Sequence, residues 1–229
     1  MLTAVCNVHV VDGGLESPVA RVETLREPEV VRHVVAWVVI EKWQRPDDCE
    51  ALDPKIGAIE GDFGVPLARL KVAIMGAGGG VGQAIATQCV LLGVEKLVLV
   101  NRSFGKLRPL VDRLHAIGRT PEIVALAFGD ESLVAQLAGC DLIVNASSIG
   151  LHPGDEMLLP AACLQPRHCV YDTIYQPPVT PLLLVAGGLG CRTANGYSML
   201  LHQGALAFQH WFPAIRPLDV MREALAQRV

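Results

Sequence analysis

The sequence predicts an α/β fold, doubly wound around a parallel sheet, on three observations. An apolar run, Lys71-Val-Ala-Ile-Met75, meets four glycines in five residues, Gly76-Ala-Gly-Gly-Gly80, and then helix-forming sequence. From there, apolar runs of strand length alternate with helix-length segments to beyond residue 200. The connections between them are short, which calls for parallel strands with helices over both faces.

Each element has its own reason. Val72, Ala73, Ile74 and Met75 have the length and continuous apolar character of a strand buried on both faces. The glycines Gly76, Gly78, Gly79 and Gly80 remove every Cβ where backbone must approach a ligand, and the helix over 80–92 would open with its N–H groups and dipole, from Val81 onward, aimed at an anion. That is a Rossmann-type phosphate turn, although an ordinary glycine-rich turn has the same composition. The next strand, 96–101, ends in Asn101-Arg102-Ser103, where a dinucleotide fold reads the ribose. An acid there would favour NAD. With the acid absent, the Arg102 guanidinium and the Ser103 hydroxyl suit a 2′-phosphate, so NADP is the expected cofactor.

The alternation continues as helix 104–117, strand 122–126, helix 131–138 and strand 141–145, the last running into the polar loop Asn145-Ala-Ser147-Ser-Ile149-Gly150. Small residues there would let a nicotinamide ribose lie against backbone. A fifth strand, 168–172, leads through a proline-rich loop, Thr173 to Pro181, into another helix. A strand over 191–194 is followed by Asn195-Gly196 and a helix from about Tyr197. On that helix Met199, Gln203 and Leu206 recur at helical spacing, which would hold Gln203 at a fixed depth in a cleft; a glutamine on a helix also commonly faces water.

Composition narrows the function. With 51% hydrophobic and 18% charged residues in 229, the chain has the makeup of a well-buried globular protein. A net charge of −4 and no basic run interleaved with aromatics argue against nucleic acid. The seven cysteines show no Cys-x-x-Cys spacing, so no metal site is expected, and buried thiols in a reducing compartment are. Val30 to Ile40 carries Arg32 and His33 and is too short to span a bilayer, so the expectation is a soluble, cytoplasmic protein without membrane contact.

The first part of the chain is less regular. Ala4 to Val11 suits a strand, Asp12-Gly13-Gly14 a turn, and Pro28 to Trp43 a helix whose many valines equally suit a strand; Gln44 to Pro66 reads as a connecting segment.

Five motifs then fall in one order: Gly76-Ala-Gly-Gly, Asn101-Arg102-Ser103, Asn145-Ala-Ser-Ser-x-Gly150, Tyr171-Asp172-x-x-Tyr175-x-Pro-x-x-Thr180-Pro181 and Asn195-Gly-x-x-Met199-Leu-x-x-Gln203-Gly. Together they resemble the shikimate dehydrogenase family over about residues 67–212. The resemblance implies an NADP-dependent oxidoreductase of the shikimate pathway of aromatic amino-acid biosynthesis, interconverting 3-dehydroshikimate and shikimate, with quinate as a related acceptor. It also implies Gly78 to Val81 on the pyrophosphate and Asn101, Arg102 and Ser103 at the 2′-phosphate. Ser147 with Ile149 would flank the nicotinamide side, Asn145, Gly196 and Met199 would also bind the cofactor, and Tyr175 and Gln203 would face a polyhydroxylated cyclic acid.

Before residue 67 the pattern departs. The family's Ser-x-Ser and paired lysine have no match, and the stretch around Asp62 only faintly resembles its Asn-Thr-Asp-Gly, leaving Asp62 as the acid–base candidate. The expected division is therefore 1–66 as a shortened substrate-domain remnant, 67–212 as the nucleotide domain, and 213–229 as a helix packing back. Such a chain is expected to bind NADP and to turn substrate over slowly or not detectably, and an exposed apolar face left by the missing half would favour a homodimer or a partner supplying it.

Overall fold

In a computed structural model, which describes residues 54–118, 121–212 and 217–226, six strands form one parallel sheet. They are β1 (Lys71–Met75), β2 (Lys96–Asn101), β3 (Glu122–Ala127), β4 (Leu142–Asn145), β5 (Cys169–Asp172) and β6 (Arg192–Asn195), in the order β3-β2-β1-β4-β5-β6. The chain moves outward from β1 in one direction, returns to β4, and moves outward in the other. The crevice beside β1 and β4 is thus the switch point at which such sheets bind ligands. The elements expected before residue 54 lie outside the described residues.

The helices are α1 (Pro54–Phe63), α2 (Gly80–Leu92), α3 (Leu107–His115), α4 (Leu133–Ala138), α5 (Pro181–Gly188), α6 (Tyr197–Trp211) and α7 (Leu218–Ala226). Successive strand residues point to opposite faces, and the core divides accordingly. Val72, Ile74, Leu97, Leu99, Val144 and Tyr171 pack with α1, α2, α3 and α6. Ala73, Met75, Val98, Val100, Ile143 and Val170 pack on the other face, with α4 and α5. Both faces of the central strands are sealed, which is why those strands are apolar without alternation.

Two expectations need correcting. The stretch read as a connecting segment contains α1, with Ile56, Ile59 and Phe63 buried against the sheet and α6. Their helical spacing was present, but Gly57, Gly61 and the neighbouring prolines masked it, and tertiary burial outweighs those weak helix propensities. The helix expected over 104–117 begins as a 3-10 turn, Phe104–Lys106, and becomes α-helical only at Leu107. No helix among the described residues is long and apolar enough to cross a membrane.

Candidate functional site

The C-terminal ends of the strands stand level. Met75 pairs with Asn145, Asn145 with Asp172, and Asp172 with Asn195, so three strands end in a polar residue along one rim.

At β1 the chain turns through Gly76 with φ +78°. A Cβ there would lie 2.8 Å from the Ser147 backbone nitrogen, so glycine is required by both conformation and space. A Cβ on Gly78 would lie 2.8 Å from Asn101 Nδ2, and one on Gly82 would lie 2.5 Å from the Gly76 carbonyl oxygen. Gly79 is the N-cap of α2, no side chain caps the helix, and the first helical bond runs from the Gln83 N–H to the Gly79 carbonyl. The N–H groups of Gly80, Val81 and Gly82 are therefore the free donors of an uncapped helix, with Gly79 and Gly80 exposed.

The predicted ribose residues divide by role. Asn101 is buried: its Oδ1 accepts from the Gly78 N–H at 3.3 Å, and its Nδ2 donates to the Ser103 carbonyl at 2.9 Å. Its amide is thereby committed to shaping the turn. Arg102 and Ser103 are exposed beside it, and the Ser103 hydroxyl makes no capping bond. Lys106, in the following 3-10 turn, brings its Cβ to the same side of Gly78 and was not picked out from the sequence.

The loops after β4 and β5 are locked by a buried polar network. Asn145 Nδ2 donates to Asp172 Oδ1 at 3.0 Å and to the Ile149 carbonyl at 3.1 Å; Asn145 Oδ1 accepts from the Ser147 N–H and hydroxyl. The Ser147 hydroxyl in turn accepts from the Ile149 N–H. Asp172 also accepts from the Ile174 N–H at 3.0 Å and from the Thr180 hydroxyl at 2.7 Å, while Thr180 caps α5. Asn145 and Asp172 are fully buried, so they set the shape of the loops, on which Ser147 and Ile149 are both half-buried. Burial pushes the Asp172 carboxyl above the ordinary carboxylate range, and its three donors pull it back.

The substrate candidates are placed unevenly. Tyr175 is 42% exposed on the loop after β5. Gln203 is half-buried on α6. Met199, expected to bind the cofactor, is 4% exposed and packs in the same cluster as Tyr171. Gly196 is tightly confined, since a Cβ there would collide with the Thr173 carbonyl. Asp62 is exposed at the end of α1, accepts a short hydrogen bond from the Ser198 hydroxyl, and lines an open cleft of about 440 Å³ along the free edge of β6 with Thr193, Asn195 and Tyr197. That edge is three strand positions from β1, or roughly 14 Å at the spacing of neighbouring strands. The cleft is accordingly separate from the glycine turn.

No group of three or more metal-ligating side chains occurs among the described residues. The described cysteines are free, and burial pushes the Cys89 thiol up to about 12 and that of Cys140 to about 11, so both are inert. Sequence reasoning missed Gly82, Gln83, Asp172 and Thr180 as site-building residues. Two had a legible signal: Thr180-Pro181 is a cap followed by proline at the first helical position, and Asp172 is an acid closing an apolar strand.

Comparison with known proteins places this geometry. Residues 196–226 match the family model described as the shikimate 5′-dehydrogenase C-terminal domain. The chain is 40% identical over 164 residues to shikimate dehydrogenase (NADP(+)) of Symbiobacterium thermophilum, a match covering 70% of this chain and 55% of the relative. It is 36% identical over 162 residues to quinate/shikimate dehydrogenase (NAD(+)) of Corynebacterium glutamicum, covering 69% of this chain and 55% of that protein. A crystal structure of shikimate 5-dehydrogenase from Listeria monocytogenes, in complex with shikimate and NAD, superposes with a TM-score of 0.68 at 31% identity, over 75% of this chain and 62% of the other. The chain thus spans little more than half the length of the curated relatives it matches. With a relative 40% identical over 70% of this chain and a solved structure of the same fold, the chain belongs to the shikimate dehydrogenase family.

Proposed function

We propose that the chain binds NADP and serves an NADP-dependent reversible reduction of 3-dehydroshikimate to shikimate. The observation that carries this is the uncapped N terminus of α2 behind a turn in which Gly76, Gly78 and Gly82 each sit where a Cβ would collide with a neighbour, with Arg102 and Ser103 exposed at the end of β2 and no acid at the ribose position. Those residues fit a dinucleotide carrying a 2′-phosphate.

In this reading the free N–H groups of Gly80, Val81 and Gly82 bind the pyrophosphate, and Arg102 and Ser103 bind the 2′-phosphate. When bound, the nicotinamide supplies or accepts the hydride. Ser147 and Ile149 line its side of the cleft on a loop that Asn145 and Asp172 keep rigid. Tyr175 and Gln203 offer a hydroxyl and an amide to the polyhydroxylated acid, orienting its ring. The buried thiols suit a cytoplasmic location.

A second reading, an NADP-binding module with little or no turnover, alone or completed by a second copy or partner, is favoured by the lack, before residue 67, of a match to the Ser-x-Ser and paired lysine that the family resemblance implies. Ketone reduction needs a proton donor beside the reacting carbon, and Asp62, exposed at the end of α1 and bonded to the Ser198 hydroxyl, is the candidate that remains for it. An absorbance assay with NADP⁺ and either shikimate or quinate, run beside an NADPH titration, tests both. Turnover supports the dehydrogenase, binding without turnover supports the module, and absence of binding overturns both.

A further inference from the structure

The phosphate turn is gripped from two sides, and the second grip involves residues with no assigned role. The Gly78 N–H is held by Asn101 through a long 3.3 Å bond, and the Gly78 carbonyl accepts from Gln83 Nε2 at 2.9 Å. Gln83 Oε1 in turn accepts from an Arg113 guanidinium N–H at 2.7 Å, reaching across from the last turn of α3. A guanidinium can only donate and a carbonyl can only accept. With Arg113 on one end and the Gly78 carbonyl on the other, only one orientation of the Gln83 amide satisfies both. Fixing the Gly78 carbonyl fixes the plane of the peptide that leads into Gly79, the N-cap of α2, and so the direction of the N–H groups that follow.

We infer that Gln83 and Arg113 form a brace behind the phosphate turn, in which Arg113 positions Gln83, Gln83 positions the turn, and neither touches the cofactor. The inference rests on the dinucleotide reading above and adds positioning residues to it. Because the brace acts on the part of the site common to NADP and NAD, it raises affinity for both and leaves the choice between them to Arg102.

The test is direct titration of NADPH, NADH and 2′-AMP, which lacks the pyrophosphate, against wild type, Gln83→Met, Arg113→Ala, the double variant and Arg102→Ala, with melting curves for each. Gln83→Met and Arg113→Ala should each raise the Kd for both dinucleotides by about 3- to 10-fold, as expected for one lost hydrogen bond. Their NADPH-to-NADH ratio and their affinity for 2′-AMP should match wild type, and the double variant should bind no more weakly than Gln83→Met alone. Arg102→Ala should instead change the ratio. Folded single variants that bind like wild type overturn the brace. So does an altered ratio in Arg113→Ala, or a double variant whose losses multiply, since either puts Arg113 directly on the cofactor. If wild type binds neither dinucleotide, the NADP reading itself fails; if wild type binds and the variants match it, only the brace fails.

Discussion

The two ends of the sheet solve the same problem with opposite chemistry. At the N-terminal ends of the strands, long charged side chains pair at the surface: Lys71 with Glu95 at 3.3 Å, the largely covered Lys96 with the exposed Glu122 at 2.8 Å, and Arg167 with Asp141 at 3.7 Å. At the C-terminal ends, short polar side chains are buried and fully engaged, Asn145 with Asp172 and Asp172 with Thr180, and glycines stand where side chains cannot. Exposed ion pairs tolerate movement and contribute little, whereas buried hydrogen bonds lose heavily when one partner goes. The difference teaches where precision is kept: buried hydrogen bonds fix the loops of the C-terminal rim, whereas charged pairs near the surface mark the opposite one.

Removing the centre of the rigid rim should have the largest effect. Asp172→Ala strands the donors of Asn145, Ile174 and Thr180 in the interior, and should cost about 3–5 kcal/mol, read as a lower urea midpoint, with dinucleotide affinity falling as the loops loosen. Gly78→Val should come next for function: its side chain meets Asn101 and Lys106, so NADPH and NADH binding should both disappear in a titration while circular dichroism still reports a folded sheet.

Arg102→Ala sharpens the comparison within the rim, since it removes a charge and disturbs no buried bond. NADPH affinity should fall about 10-fold or more, the worth of a charge-assisted hydrogen bond, while NADH affinity stays within error; an equal loss for both would remove Arg102 from the 2′-phosphate. On the opposite rim, Lys71→Ala, which removes the exposed pair with Glu95, should cost under about 1 kcal/mol in the same urea experiment and leave NADPH binding unchanged.

The smallest expected effect concerns pH. The His152 and Gly150 N–H groups hold the exposed Asp155 carboxyl below the usual carboxylate range. A depressed folded value means that its stabilisation is present above the unfolded pKa of about 3.9 and is lost as pH falls through the lower folded one. Wild type should therefore melt above Asp155→Asn at pH 6, and the gap should close towards pH 2; a gap that is constant with pH would mean that the carboxylate charge plays no part.

Much of the nucleotide domain was legible in the sequence because its signals are local. An apolar run of strand length cannot sit in water, and the bounds expected for β1, α2 and β2 match those observed. The glycine cluster announced a turn where backbone meets a ligand, and the missing acid after β2 bore on cofactor choice, without any distance being known. What the sequence could not reveal depends on which residues meet across the fold. Gly82 is constrained by a carbonyl six residues before it, Met199 is drawn into the core by the cluster around Tyr171, and α1 exists because Ile56, Ile59 and Phe63 find the sheet and α6 to cover them. The bond from Ser198 on α6 to Asp62 on α1 joins residues 136 positions apart, which no local pattern announces. Gln83 and Arg113 lie thirty residues apart, and only the packing of α2 beside α3 joins them behind Gly78. Periodicity and glycine spacing are properties of neighbouring residues, which the chain carries in its order; hydrogen bonds between distant side chains arise only when burial brings them together, and that was decided by the tertiary structure.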